Sequence, residues 1–320
     1  MRKVWIDALR ALAIILVIVG HQASWNEDFF IVTSPVKMPM FFAISGYLYK
    51  AGGGNSLIDK IRALSFRIGI PWLILGLGPV FIGSLFKGDY AHIWHYAMNM
   101  ISGTVLWFMP CFFVSELVFF ANFKVAKESN TLLTSICLVE CLLGFVFGTY
   151  HIADYAMINR ALIVQLFMVT GCLIRRYEDK ILRTHPFLIG IVLLFGIWIS
   201  YLEYWFTGEL MDIHTNQYPI FILDMILIIL ECLALFYLFN RYKVGGKILS
   251  LVGRNTLLIF ILAPYFSSII SVIFSLFNIN IQNRYVSTII YTIIIVTIGV
   301  FVSEMFARFA PWVIGQRKKT

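Results

Sequence analysis

Trp5-Ile6-Asp7-Ala8-Leu9-Arg10-Ala11-Leu12-Ala13-Ile14-Ile15-Leu16-Val17-Ile18-Val19-Gly20-His21 is an apolar run that carries an arginine and a histidine eleven positions apart. In an α-helix eleven steps return to within about 20° of the start and rise by about 16 Å. Arg10 and His21 therefore share one face, the first near a membrane surface and the second deep or near the far side. Asp7, three residues before Arg10, stands where a carboxylate can hold the guanidinium. Ionisable groups inside a bilayer are costly and by default mark function. The plainer reading makes Arg10 a surface anchor and His21 a cap at the far interface.

The rest of the chain agrees with a membrane setting for this helix. Of 320 residues, 60% are hydrophobic and 13% charged, with a mean hydropathy of +0.85. A soluble domain of this size is about 45–50% apolar and 25% charged, so the expectation is an all-α, polytopic integral membrane protein. Apolar blocks long enough for helices recur at 5–24, 36–50, 68–86, 106–122, 132–150, 157–175, 186–206, 218–239, 250–275 and 286–306, about ten transmembrane helices. The second is short for a span and is expected to be tilted, broken or extended into its flanks. With the N-terminus in the cytoplasm and the spans alternating, 21 of the 25 Lys and Arg fall inside. Only Lys37, Lys87, Arg160 and Arg284 fall outside, so both termini are expected in the cytoplasm. The net charge of +8 is then topology and attraction to anionic lipid, with no nucleic-acid partner. No cleavable signal peptide is evident, and residues 1–320 read as one transmembrane domain with no soluble domain. The five cysteines lie in apolar segments. Cys137 and Cys141 share a helix face without further ligands, so no metal site is expected.

Several other polar groups lie in or beside spans. Ser45-Gly46, after Pro39, allows close helix approach or a ligand contact. Lys60, Arg62 and Arg67 form a basic cluster at the cytoplasmic mouth that suits a polyphosphate-bearing donor, with Lys60 better read as a topology signal. Glu116 lies mid-span after Trp107, where a carboxylate needs a partner or a proton, and Glu140, Asp224, Glu231 and Glu304 are also flanked by apolar residues. Arg160 meets either an anionic acceptor or Asp154. His92, His95, His151, His185 and His214 fall in loops or at interfaces and read as solvated surface residues. Residues 87–105 mix aromatic and polar groups, as an interfacial or re-entrant element does. Of the histidines only His21 combines depth with an aligned cation. It can take the proton from a sugar hydroxyl that attacks a thioester, or itself carry the acyl group.

At these residues the chain resembles the membrane acyltransferase-3 family of polytopic O-acyltransferases. The run Ile6 to His21 is similar to the family's opening signature, and Met38-Pro39-Met40-Phe41-Phe42-Ala43-Ile44-Ser45-Gly46-Tyr47 to its second. Arg67-Ile68-Gly69-Ile70-Pro71-Trp72, Leu106-Trp107-Phe108-Met109-Pro110 and Gly253-Arg254-Asn255-Thr256 match weaker ones. The fucose 4-O-acetylase-like branch is the nearest. Many members have His where Ala263 stands, and some have His where this chain has Lys37, which points to a different acceptor. Members fused to an extracytoplasmic esterase-like domain are longer than this chain.

The resemblance implies a multi-pass enzyme of the cell (plasma or inner) membrane with no permanently bound cofactor. An acyl-CoA, most often acetyl-CoA, is the co-substrate, and the acceptor is a hydroxyl of a cell-surface polysaccharide or its lipid-linked precursor. His21 would be the base or acyl relay, Arg10 would orient the donor and Asp7 would hold Arg10. Arg62 and Arg67 would meet the donor's phosphates; Ser45, Glu116, Trp107 and Arg160 are further substrate-binding candidates. The rival is a transporter or flippase of lipid-linked saccharides, which ten helices and intramembrane acids fit equally well. A homo-oligomer, the acceptor sugar and the acyl length are left open.

Overall fold

The first helix, α1 (Val4–Gln22), is buried on most of its surface, and the other helices surround it. It is followed by α2 (Glu27–Lys37), α3 (Pro39–Leu48), α4 (Leu57–Leu64), α5 (Ile70–Lys87), α6 (Tyr90–Ser102), α7 (Phe108–Ala126) and α8 (Asn130–Thr149). The chain continues through α9 (Ile158–Ile163), α10 (Gln165–Arg176), α11 (Glu178–Leu182), α12 (Pro186–Thr207), α13 (Phe221–Arg241), α14 (Lys247–Arg254), α15 (Thr256–Leu276) and α16 (Arg284–Phe309). The computed structural model describes residues 3–22, 27–49 and 56–316; among them there is no strand, only an isolated bridge between Asp212 and Gln217. Nine helical stretches among the described residues are long and apolar enough to cross a membrane. A tenth arises if α9 and α10, bent by 44°, count as one.

Two spans, the third and the sixth, differ from the sequence expectation, and the second is broken and extended into its flank as expected. The second begins earlier than 36, as the apolar stretch Phe29–Leu48, and turns at Met38 between Pro35 in α2 and Pro39 at the first turn of α3. Proline removes a helix hydrogen bond and restricts the residue before it, which accounts for the break. The third is not 68–86 but Leu57–Phe86, 30 residues long. Its first part, α4, is amphipathic and carries Lys60 and Arg62, which hid it in an apolar reading. A π-helical turn, Ser65–Gly69, joins α4 to α5 and contains Arg67. The sixth is broken at Val164, where buried Gln165 donates to the carbonyls of Ala161 (2.8 Å) and Ser115 (3.2 Å). Backbone groups freed in a span need such partners, because lipid offers none.

Helix contacts at the core are made backbone to backbone. A side chain on Gly46 of α3 would begin 1.8 Å from the Met168 carbonyl of α10, and one on Gly171 of α10 would begin 1.8 Å from that of Ala43. The same closeness joins Gly253 of α14 to the Asp7 carbonyl of α1, at 1.8 Å. Small residues permit this approach where no hydrophobic effect drives helices together. At the N-terminal end of α1, Glu178 of α11 accepts hydrogen bonds from Lys3 (2.7 Å), Tyr47 (2.6 Å) and Asn240 (2.6 Å). Burial pushes the Glu178 carboxyl up, but these three donors outweigh it and hold it below the usual range. The knot fixes the ends of α1, α3 and α13 together.

Candidate active site

One face of α1, running through Arg10, Ile14, Val17, Ile18 and His21, borders three cavities. The helical spacing that aligns Arg10 with His21 is thus also the wall of the site. At the Arg10 end, a cavity of about 380 Å³ is lined by Arg10, Ser45, Arg67 and Arg254, with Phe41, Phe108 and Phe260 as its inner wall. Arg67 is set there by the π-helical turn, against which Gly315 closes: a side chain on Gly315 would begin 2.7 Å from the Arg67 Cα. Three arginines from three parts of the chain therefore line one space. Arg254 was not among the sequence candidates, although it lies in the Gly253-Arg254-Asn255-Thr256 run; Arg62, which was, is exposed on α4 and does not line this cavity.

At the other end His21 borders two cavities. One, about 350 Å³, is mostly apolar: Ile14, Val17, Leu106, Ala263 and Pro264 line it, and Tyr96 and Tyr265 close it with their hydroxyls bonded to each other at 2.9 Å. The other, about 420 Å³, is the more polar: Lys37, Ser34, Asp212, His214 and Gln217 line it together with Trp107 and several apolar side chains. Phe260 borders all three cavities, and its ring lies 5.3 Å from that of Phe108. This aromatic pair separates the guanidinium end from the imidazole end.

Asp7 is buried (3% exposed) and accepts from Ser250 Oγ at 3.3 Å, while Arg10 Nη1 stands 4.0 Å from its other oxygen. Ser45 faces the Arg10-end cavity with its hydroxyl donated to Glu116 Oε1. Glu116 does not meet His21. Its Oε2 pairs with Lys60 Nζ at 2.6 Å, so Lys60 is an ion-pair partner within the bundle as well as a basic flank. The same ammonium lies 5.3 Å from the centre of the Tyr49 ring, whose phenol is pushed up to about 12 by burial and by Glu116. Arg160 meets Asp154 rather than the cavity. It also donates to Asn159 Oδ1 (2.7 Å) and to the His214 carbonyl (3.3 Å). Trp107 borders both His21-end cavities and stacks on His214, centroids 5.2 Å apart and planes 19° from parallel.

His214 corrects its reading as a solvated surface residue. It is half-buried in the loop between α12 and α13 and forms part of the polar cavity wall. Burial and the Arg160 charge push its imidazole below the ordinary value, against the pull of Asp212. Asp212 shapes this loop, accepting from the His214 backbone N–H (2.9 Å) and from Thr215 Oγ1 (3.2 Å). Nothing in the local sequence marks these two, because the loop's place is set by its tertiary contacts. Lys37 was legible only as a departure from the second motif. His92, His95, His151 and His185 are exposed.

No curated protein and no solved structure gives a match to this chain. The family model described as an acyltransferase domain matches residues 3–307, which include the walls of all three cavities apart from Ile314 and Gly315. With the fold and this match together, the chain is a multi-pass membrane acyltransferase and belongs to the acyltransferase-3 family.

Proposed function

We propose that the protein transfers an acyl group, acetyl first among them, from an acyl-CoA to a hydroxyl of a cell-surface polysaccharide or its lipid-linked precursor. The carrying observation is the division of one helix face between a three-guanidinium cavity at Arg10 and the His21 imidazole about 16 Å further on. Guanidiniums match phosphate oxygens geometrically. The donor's phosphates rest at Arg10, Arg67 and Arg254, on the cytoplasmic side by the positive-inside rule. Its thin pantetheine arm extends along Ile14 and Val17, past Phe260, to bring the thioester to His21.

His21 then takes the proton of the acceptor hydroxyl as its oxygen attacks the thioester carbonyl. The C–S bond breaks and the proton passes to the leaving thiolate. In the second route the imidazole attacks the thioester carbonyl and the thiolate leaves with the imidazole proton; the acceptor oxygen then attacks the acyl-imidazole carbonyl, the C–N bond breaks, and the imidazole leaves with the hydroxyl proton. The acceptor occupies the polar cavity, where Trp107 offers an aromatic face and Gln217 and Ser34 offer hydrogen bonds. Resemblance to the fucose 4-O-acetylase-like branch puts a sugar hydroxyl first. The test is release of free CoA from acetyl-CoA by the purified protein in nanodiscs, wild type beside His21→Ala. Release that needs His21 is expected. Equal release from the variant would overturn the mechanism, and absence of both release and acetyl-CoA binding would restore the transport reading.

A further inference from the structure

The polar cavity beside His21 holds a cation for which the acyl transfer above has no use. Lys37 ends α2 at the break before Pro39, and its Nζ lies 4.4 Å from the centre of the Phe30 ring. It is 3.6 Å from where a side chain on Gly20 would begin, which puts it at the His21 end of α1. Among the described residues, no carboxylate lies within the 4.0 Å of an ion pair with it. Asp212, across the cavity, has its carboxylate oxygens engaged by His214 and Thr215. An ammonium enclosed in a membrane bundle requires an anion or abundant water. A neutral sugar filling the cavity would expel that water and leave the ammonium with the Asp212 carboxylate, beyond ion-pair distance, as the opposite charge on the cavity wall.

We propose that the acceptor is anionic, and that Lys37 binds its carboxylate or phosphate while the hydroxyl to be acylated lies at His21. The inference rests on the acyltransferase reading of His21 for its orientation, but the anion site itself does not. A volume of about 420 Å³ lies in the size range of small-molecule pockets, room for a sugar ring and a charged substituent. Two sources supply the anion: a carboxylate on the sugar, as in a hexuronic acid, or the diphosphate of a polyprenyl carrier.

The experiment uses the full chain in nanodiscs and three probes: methyl glucoside, methyl glucuronide and a polyprenyl diphosphate-linked glucose. Equilibrium binding is measured by calorimetry and acetyl transfer by ester formation, for wild type, Lys37→Met and Lys37→Arg. Wild type is expected to bind one charged probe at least about tenfold more tightly than methyl glucoside, a gap of about 1.4 kcal/mol. Lys37→Met closes the gap and Lys37→Arg keeps it. Preference for the glucuronide places the anion on the sugar, and preference for the carrier-linked glucose alone places it on the diphosphate. Equal binding of all three probes by wild type overturns the proposal, as does a preference that survives Lys37→Met. Lys37-dependent binding without any CoA release would retain the anion site and refute the acyl-transfer reading instead.

Discussion

Removing the Lys60 ammonium decides whether Glu116 is a structural strut or a group kept ready for substrate. Lys60 Nζ and Glu116 Oε2 are 2.6 Å apart, with the side chains 19% and 9% exposed. At that separation the gross attraction in an effective dielectric of 20 is about 6 kcal/mol. Desolvation of both groups cancels much of this, yet cutting one partner of a buried pair costs about 3–5 kcal/mol, because the other charge is stranded. The partly exposed lysine sets the lower end, about 3 kcal/mol, for Lys60→Met. At about 2–3 °C per kcal/mol for a chain of this size, its melting midpoint falls by roughly 6–9 °C. Glu116→Gln costs less, about 1–2 kcal/mol, since the amide still accepts from Ser45. The double variant melts within about 3 °C of Glu116→Gln alone, the signature of a coupled pair. Tryptophan fluorescence of the purified protein, heated in one detergent, reads all four midpoints. Single variants that both melt with wild type, or costs that simply add, would refute the strut and return Glu116 to the substrate.

Two further predictions follow from other contacts. Gly253→Ala puts a methyl group where the Asp7 carbonyl lies 1.8 Å away, and neither backbone can yield locally. α14 must separate from α1, at a cost above the ~1–3 kcal/mol of ordinary overpacking, with loss of monodisperse protein and of CoA release; a variant that melts with wild type would show the helices free to part. The folded His214 imidazole has a lower pKa than the unfolded one, so below the unfolded value of about 6.5 the unfolded chain binds more protons and stability falls with pH. The midpoint should therefore drop between about pH 7 and 5 more in wild type than in His214→Gln, and equal slopes would remove His214 as the cause.

The fold was legible where one periodic signal sufficed. Arg10 and His21 lie on one face because helical geometry alone puts them there, and the apolar length of the spans announced the bundle. The errors came where two signals overlapped. Lys60, Arg62 and Arg67 interrupt the apolar run that starts at Leu57, so the third span read as short. Pro35 and Pro39 shortened the apparent second span, and that shortness was itself the sign that it is broken and extended, as the structure has it. The site was half legible for a related reason. Arg10 and His21 sit in a span whose orientation follows from periodicity, whereas Arg67 was legible as a basic flank and is set in the cavity by a π-helical turn. Arg254 reaches the same cavity only through the Gly253–Asp7 contact, and Asp212 and His214 through a loop folded back over Trp107. Long-range packing of that kind leaves no mark within a window of neighbouring residues.

The aromatic pair at the centre bears on what can move through the bundle. Phe260 and Phe108, with rings 5.3 Å apart, stand between the guanidinium cavity and both cavities at His21. Phe41 and Phe42 back Phe108 at 5.6 and 5.3 Å. Passage of a whole saccharide would require α1, α7 and α15 to separate. The glycine contacts lie beside this opening: Gly253 ties α14 to α1, and Gly46 and Gly171 tie α3 to α10. The pantetheine arm of the proposed donor is linear, and Phe260 is the side chain common to all three cavities; reorientation of such a ring is a motion of side-chain scale and speed. Under the proposed function the same pair would keep the two substrates apart until the arm arrives and would limit the access of water to the thioester. Under the proposed function this arrangement suits chemistry across a barrier, in which the acyl group would pass the Phe260 ring while donor and acceptor remain in their own cavities.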